Sequence, residues 1–121
     1  MTSKHKNVEV LSTNILSYLN TIESTYVETA KEKGEPDFFE TVKPFADKVF
    51  DLVQRWEEET KSWIKEANPK NIHVQQVDST VENINMISVQ CFYPDTREKR
   101  FKGMLQSIRY VLNDVITKLD V

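Results

Sequence analysis

The chain has 121 residues and a formal net charge of −3, with 39% of its residues hydrophobic and 29% charged. That length can bury one core without disulfides or a metal, and that composition excludes intrinsic disorder. The acidic balance disfavours nucleic acid as a partner, because phosphate neutralisation supplies most of the affinity of a non-specific binder.

Only two glycines and four prolines punctuate the sequence. The expected elements are therefore long and the loops few, which argues against an all-β fold. A first helix is expected over about 7–33. Val8, Leu11, Ile15, Tyr18, Leu19, Ile22, Tyr26 and Ala30 recur at three- and four-residue steps as a single apolar stripe. It ends near Gly34-Glu35-Pro36, a glycine and a proline in the order expected after a helix terminus.

A second helix is expected over about 37–67, with Phe38, Val42, Phe45, Val49, Leu52, Trp56, Trp63 and Ala67 on one face and Thr60 as a polar gap. Asp37 and Glu40 stand in the relation of a capping box, in which the cap side chain accepts from a free first-turn amide. Pro44 has no amide proton, and its ring clashes with the carbonyl four residues back. The stripe nevertheless runs through it in phase, so either a kinked helix or one short turn followed by a long helix is expected. Arg55 with Glu59 and Glu57 with Lys61 are spaced to pair along the exposed face.

Asn68-Pro69-Lys70-Asn71 interrupts, and a third helix is expected over about 72–93, with Val77, Val81, Ile84, Ser88 and Cys91 on one face. In its stretch 84–93, Met86, Val89 and Tyr93 join Ile84, Ile87, Cys91 and Phe92 in pointing almost all round the axis. Such a segment is either packed on three sides or presents a second apolar face, and Met86, Val89 and Tyr93 are the candidate homodimer face. A fourth helix is expected over about 96–120, carrying Phe101, Leu105, Ile108, Val111, Leu112, Val115 and Leu119, with Asp95 and Glu98 as a second capping box.

Four segments joined by short loops must each run back beside their predecessor. The expected fold is all-α: an up-down-up-down antiparallel four-helix bundle, one domain over 1–121, with rods of about 30–45 Å at about 1.5 Å per residue.

DFFETVKP at 37–44, Arg55-Trp56, Pro69-Lys70 with His73, and Lys99-Arg100-Phe101-Lys102 together resemble the YppE-like family of small helical proteins of Gram-positive bacteria. The resemblance runs from about Leu16 to the C-terminus. It implies a four-helix bundle and brings no activity, substrate or cofactor. Some members of that family are histidine-rich just before the basic run, where this chain has Phe92-Tyr93-Pro94-Asp95-Thr96.

No catalytic machinery is expected, and no metal or other cofactor. A di-metal bundle site needs Glu-x-x-His pairs, and neither His5 nor His73 follows a glutamate by three. Cys91 is the only cysteine, which rules out an internal disulfide and fits a reducing cytoplasm; near a helix C-terminus among apolar neighbours it reads as a buried, inert thiol. The N-terminus lacks a signal-peptide apolar stretch, and nothing approaches membrane-spanning length. A cytoplasmic location is expected.

Arg97, Lys99, Arg100 and Lys102 crowd the opening turns of the fourth helix, the end that disfavours cations. In the expected topology the second and fourth helices start at the same end. Asp37, Phe38, Phe39, Glu40 and Lys43 then gather at one end of the bundle with Arg97, Arg100 and Lys102. Two readings stand: an intramolecular clamp of Asp37 or Glu40 on Arg97 or Arg100, or a composite surface of aromatic edges and an anchoring arginine. The function expected is a small cytoplasmic interaction or adaptor module with a protein partner; the alternative is a binder of a small anionic ligand at the start of the fourth helix.

Overall fold

The computed structural model describes residues 5–32 and 34–119. Four α-helices dominate it: α1 (Lys6–Glu32), α2 (Lys43–Ala67), α3 (Val74–Gln90) and α4 (Glu98–Leu119), with a π-helical turn, Phe38–Val42, leading into α2. There is no strand among the described residues. The expected helix ends at Lys33 and residue 120 lie outside the described residues.

The helices form a square. α1 packs on α2 and α4, α3 packs on α2 and α4, and α1 touches α3 more lightly across the middle. Short connections make the neighbours antiparallel, so the fold is the up-down-up-down bundle. The apolar stripes meet in one core, whose largest fully buried side chains are Trp56 and Phe101. Around them lie Ile15, Leu19 and Ile22 of α1, Ile84 and Ile87 of α3, and Leu105, Ile108 and Leu112 of α4.

Four polar residues, Ser12, Thr60, Thr80 and Ser88, are buried among the described residues. The Trp56 indole N–H donates to Ser12 Oγ at 2.8 Å, which satisfies the one polar atom of a fully buried tryptophan. Thr60 is as deeply buried, but its hydroxyl has no hydrogen-bond partner. At the far end, α2 closes on Asn68 in the left-handed conformation (φ 47), whose N–H donates to the Ile64 carbonyl at 2.9 Å. Asn71 is also left-handed (φ 64), and asparagine is the side-chain-bearing residue that best tolerates this region.

The helix ends depart from the periodicity in three places. Before α2, the amides of Val42 and Lys43 reach back five residues, to the carbonyls of Asp37 and Phe38. The short turn expected before Pro44 is thus a wide π turn, which delivers Pro44 to the first turn of α2, where a missing amide proton costs nothing. α3 begins at Val74 because His73 is extended (φ −124, ψ 153), and it stops at Gln90, short of Pro94. α4 begins at Glu98 rather than near 96. Asp95 makes no capping bond; instead Thr96 is held outside the helix, its carbonyl accepting from the Tyr26 hydroxyl at 2.6 Å and its own hydroxyl donating to the Gln90 carbonyl at 3.2 Å.

Candidate functional site at one end of the bundle

Three aromatic contacts organise the end where α2 and α4 start. Tyr26, near the end of α1, stacks on Phe101 of α4 with ring centroids 4.1 Å apart and planes 12° from parallel. Phe45, in the first turns of α2, meets Phe92 edge-on at 5.6 Å and Tyr18 at 5.9 Å. Each contact ties the start of α2 or α4 to another segment of the chain, which fixes the end as a unit. Burial raises the Tyr26 hydroxyl above its ordinary pKa; the nearby Glu98 carboxylate adds to this and Lys102 opposes it.

On that frame, the residues expected at the site fall into two groups. Asp37, Phe38, Phe39, Glu40 and Lys43 lie at the α2 corner; Arg97, Arg100 and Lys102 lie at the α4 corner. Both corners are at the same end, but α2 and α4 occupy opposite corners of the square. No ion pair joins Asp37 or Glu40 to Arg97 or Arg100.

At the α2 corner the Asp37 carboxylate accepts from the Glu40 amide at 3.0 Å, the cap half of the expected box. Lys43 pairs with Asp47 at 2.8 Å. Phe38 and Phe39 meet edge-to-face at 5.3 Å, and they are exposed, Phe39 by 76% and Phe38 by 44%. Phe38 therefore does not hold the core face expected of it. The wide turn shifts the phase of the stripe, and Val42, fully buried, takes the inward position. Phe50, two turns into α2, is also half exposed.

At the α4 corner Lys102 pairs with Glu98 at 2.8 Å; their hydrogen bond raises the lysine's pKa and lowers the glutamate's. Arg97, Lys99 and Arg100 are exposed and line an open hollow of about 480 Å³. None of the three makes an ion pair or side-chain hydrogen bond among the described residues. Lys99 thus belongs with the arginines and Lys102 does not. The four-residue spacing of Glu98 and Lys102 was the signal in the sequence that separates them.

A second cleft, of about 630 Å³, opens between α1, the segment that leads into α2, and Phe92. Asn20, Ser24 and Glu28 of α1 line it with Gly34, Thr41 and Phe92, so its wall mixes polar and acidic groups with apolar surface.

The candidate dimer face is largely covered. Ile84, Ile87 and Cys91 are buried, Val89 and Tyr93 are partly buried, and Met86 alone of the stretch is exposed, by 38%. Burial pushes the Cys91 thiol up to about 12, and its Sγ lies 3.6 Å from the Ser88 carbonyl. No group of three or more His, Cys, Asp or Glu side chains among the described residues could hold a metal ion. No helix among the described residues is long and apolar enough to cross a membrane.

Residues 12–119 match the family described as a bacterial domain of unknown function (DUF1798). The uncharacterised protein YppE of Bacillus subtilis is 32% identical over 90 residues, which covers 74% of this chain and 73% of that protein. Its crystal structure superposes with a TM-score of 0.90 at 26% identity, over 99% of this chain and 96% of that one. A Listeria innocua protein of unknown function shares the fold with a TM-score of 0.91 at 22% identity, over 96% and 93% of the two chains. A Staphylococcus aureus protein of the same family gives 0.87 at 20%, over 95% and 97%.

Proposed function

We propose that this chain, which belongs to the DUF1798 family of bacterial domains, is a non-catalytic protein-interaction module whose contact surface is the bundle end around Phe38 and Phe39. The observation that carries this reading is the 76% exposure of Phe39 on an ordered, hydrogen-bonded turn. A folded protein gains nothing from holding a phenylalanine in water. An aromatic fixed on a rigid element, however, enters a partner's pocket at little entropic cost. The same wide turn that starts α2 aims both rings outward.

A tagged wild-type protein and a Phe39→Ser variant test this. Phe39 contributes little to the core, so the variant keeps its helical spectrum and melting temperature. A stoichiometric protein retained by wild type and lost by Phe39→Ser supports the reading. Equal capture by both forms overturns it, and so does capture by neither when wild type is also monomeric at every concentration.

A second reading, binding of a small anionic ligand, draws on the hollow lined by Arg97, Lys99 and Arg100, three cations with no ion-pair partner among the described residues. Titration with inorganic phosphate, followed by amide chemical shifts, checks it. Saturable shifts at 97–100 that vanish in Arg100→Glu support it, and an unsaturated, salt-like response rejects it.

A further inference from the structure

We propose that the two corners are the two halves of one self-association surface, and that the occupant of this bundle end is a second copy of the same chain. The inference rests on the reading of the end as a contact surface and names its partner. The observation is a mismatch within the single molecule. The α2 corner carries Glu35, Asp37 and Glu40 with no cation paired to them among the described residues, beside exposed Phe38 and Phe39. The α4 corner carries Arg97, Lys99 and Arg100 with no carboxylate paired to them. The patches are opposite in charge and lie at one end, yet the square keeps them apart across its diagonal.

That diagonal is what a two-fold dimer uses. A two-fold axis lying in the plane of the end face, along the line from α1 to α3, leaves those two corners in place and exchanges the α2 and α4 corners. Two copies stacked end to end about this axis set the α2 corner of each against the α4 corner of the other. The contact is isologous: Asp37 and Glu40 of one copy face Arg97 and Arg100 of the second, twice over. Phe39 then lies against a guanidinium, a stacking that arginine favours over lysine. Had α2 and α4 been neighbours, the charges would have paired within the chain and left nothing to offer.

The size of the end sets the strength. Helices about 10 Å apart bound a face of about 400 Å² per copy, so a dimer buries about 800 Å² in all, below the range of stable interfaces and in the class of weak, transient contacts. The dimer is therefore weak, reversible and held by exposed charge. Its dissociation constant rises several-fold between about 50 and about 300 mM salt, as the screening length falls to well under 10 Å.

The test is sedimentation velocity on four samples, at protein concentrations from about 10 to about 500 µM, the range that a small, weak contact requires. Wild type, Glu40→Lys, Arg100→Glu, and an equimolar mixture of the two variants are compared at low salt. Both positions are exposed and without side-chain partners, so both variants fold, and circular dichroism verifies it. Wild type dimerises with rising concentration, and each variant alone is weakened at least about tenfold by like charges facing each other. The mixture recovers dimer, because the introduced lysine meets the introduced glutamate at one contact and the native pair meets at the other. A wild-type monomer at every concentration overturns the proposal. So does a dimer that survives both variants, as one through Met86 on α3 would, and so does a mixture that stays monomeric. If wild type is monomeric but still captures a different protein through Phe39, the interaction reading stands and self-association alone falls.

Discussion

Replacing Tyr26 by phenylalanine removes one oxygen atom from the structure that holds the α4 corner. The ring and its stack on Phe101, 4.1 Å away, are kept, and only the 2.6 Å bond to the Thr96 carbonyl is lost. Thr96 is partly buried, so water can replace the hydroxyl, and the net cost is that of one neutral hydrogen bond, about 1 kcal/mol. A domain of this length unfolds with an entropy of about 0.25 kcal/mol/K, so the melting temperature falls by about 4 °C. The pH dependence supplies a second, independent reading. Burial raises the Tyr26 pKa in the folded state, so the neutral hydroxyl's contribution is complete below the unfolded value of 10.0 and is lost as pH rises through and beyond it. The gap between wild type and Tyr26→Phe is therefore full at neutral pH and closes in alkali, while every other titrating group cancels in the difference. Thermal unfolding followed by circular dichroism at both pH values measures it, and amide exchange reports whether the Phe101 amide, which donates to the Arg97 carbonyl, opens faster in the variant. A variant as stable as wild type at neutral pH, or a gap that widens in alkali, refutes the role given to this hydroxyl.

Three further outcomes are expected from the core. Ser12→Ala strands the buried Trp56 indole N–H and costs about 2 kcal/mol, read as a lower urea midpoint with an unchanged slope. Thr60→Val replaces a buried hydroxyl that has no partner by a methyl of the same shape, so it is neutral or stabilises by up to about 1 kcal/mol; a loss of stability in the same urea assay would reveal a hydrogen bond that the geometry lacks. Cys91, with its thiol pushed up to about 12, reacts with a disulfide reagent at about pH 8 at least about a hundredfold more slowly in the folded protein than in urea, and comparable rates would show that α3 opens readily.

The helices were legible because each carries a sustained apolar stripe, and Ile15, Ile84 and Leu112 are buried where the periodicity put them, although Ala30 and Ala67 at the stripe ends are exposed. The exceptions lie where a local rule met a long-range contact. Asp95 and Glu98 have the spacing of a capping box, but the Tyr26 hydroxyl, 70 residues away, takes the Thr96 carbonyl and delays the helix. Glu57 and Lys61 pair as their spacing implies, whereas Arg55 and Glu59 do not, and Lys61 also reaches Asp78 of α3 at 2.7 Å. Phe38 left its stripe because a constant turn per residue was carried through a segment that turns more slowly. The shared end of Asp37 and Arg97 follows from helix order alone. Their separation follows from the same order taken round a square, where even-numbered helices face each other across the diagonal.

The wide turn before Pro44 has a consequence for chain length. It behaves as a single added residue, absorbed within Phe38–Val42, and the α2 register from Val49 through Trp63 is untouched by it. Removing one residue between Phe39 and Val42 would restore an ordinary helical turn and swing everything before it by about 100° around the axis, about the rotation of one α-helical residue. Phe38 and Phe39 would face new directions, with Phe38 turned back toward the stripe that Val42 continues. At this one place, length is a dial for the direction of the aromatic pair.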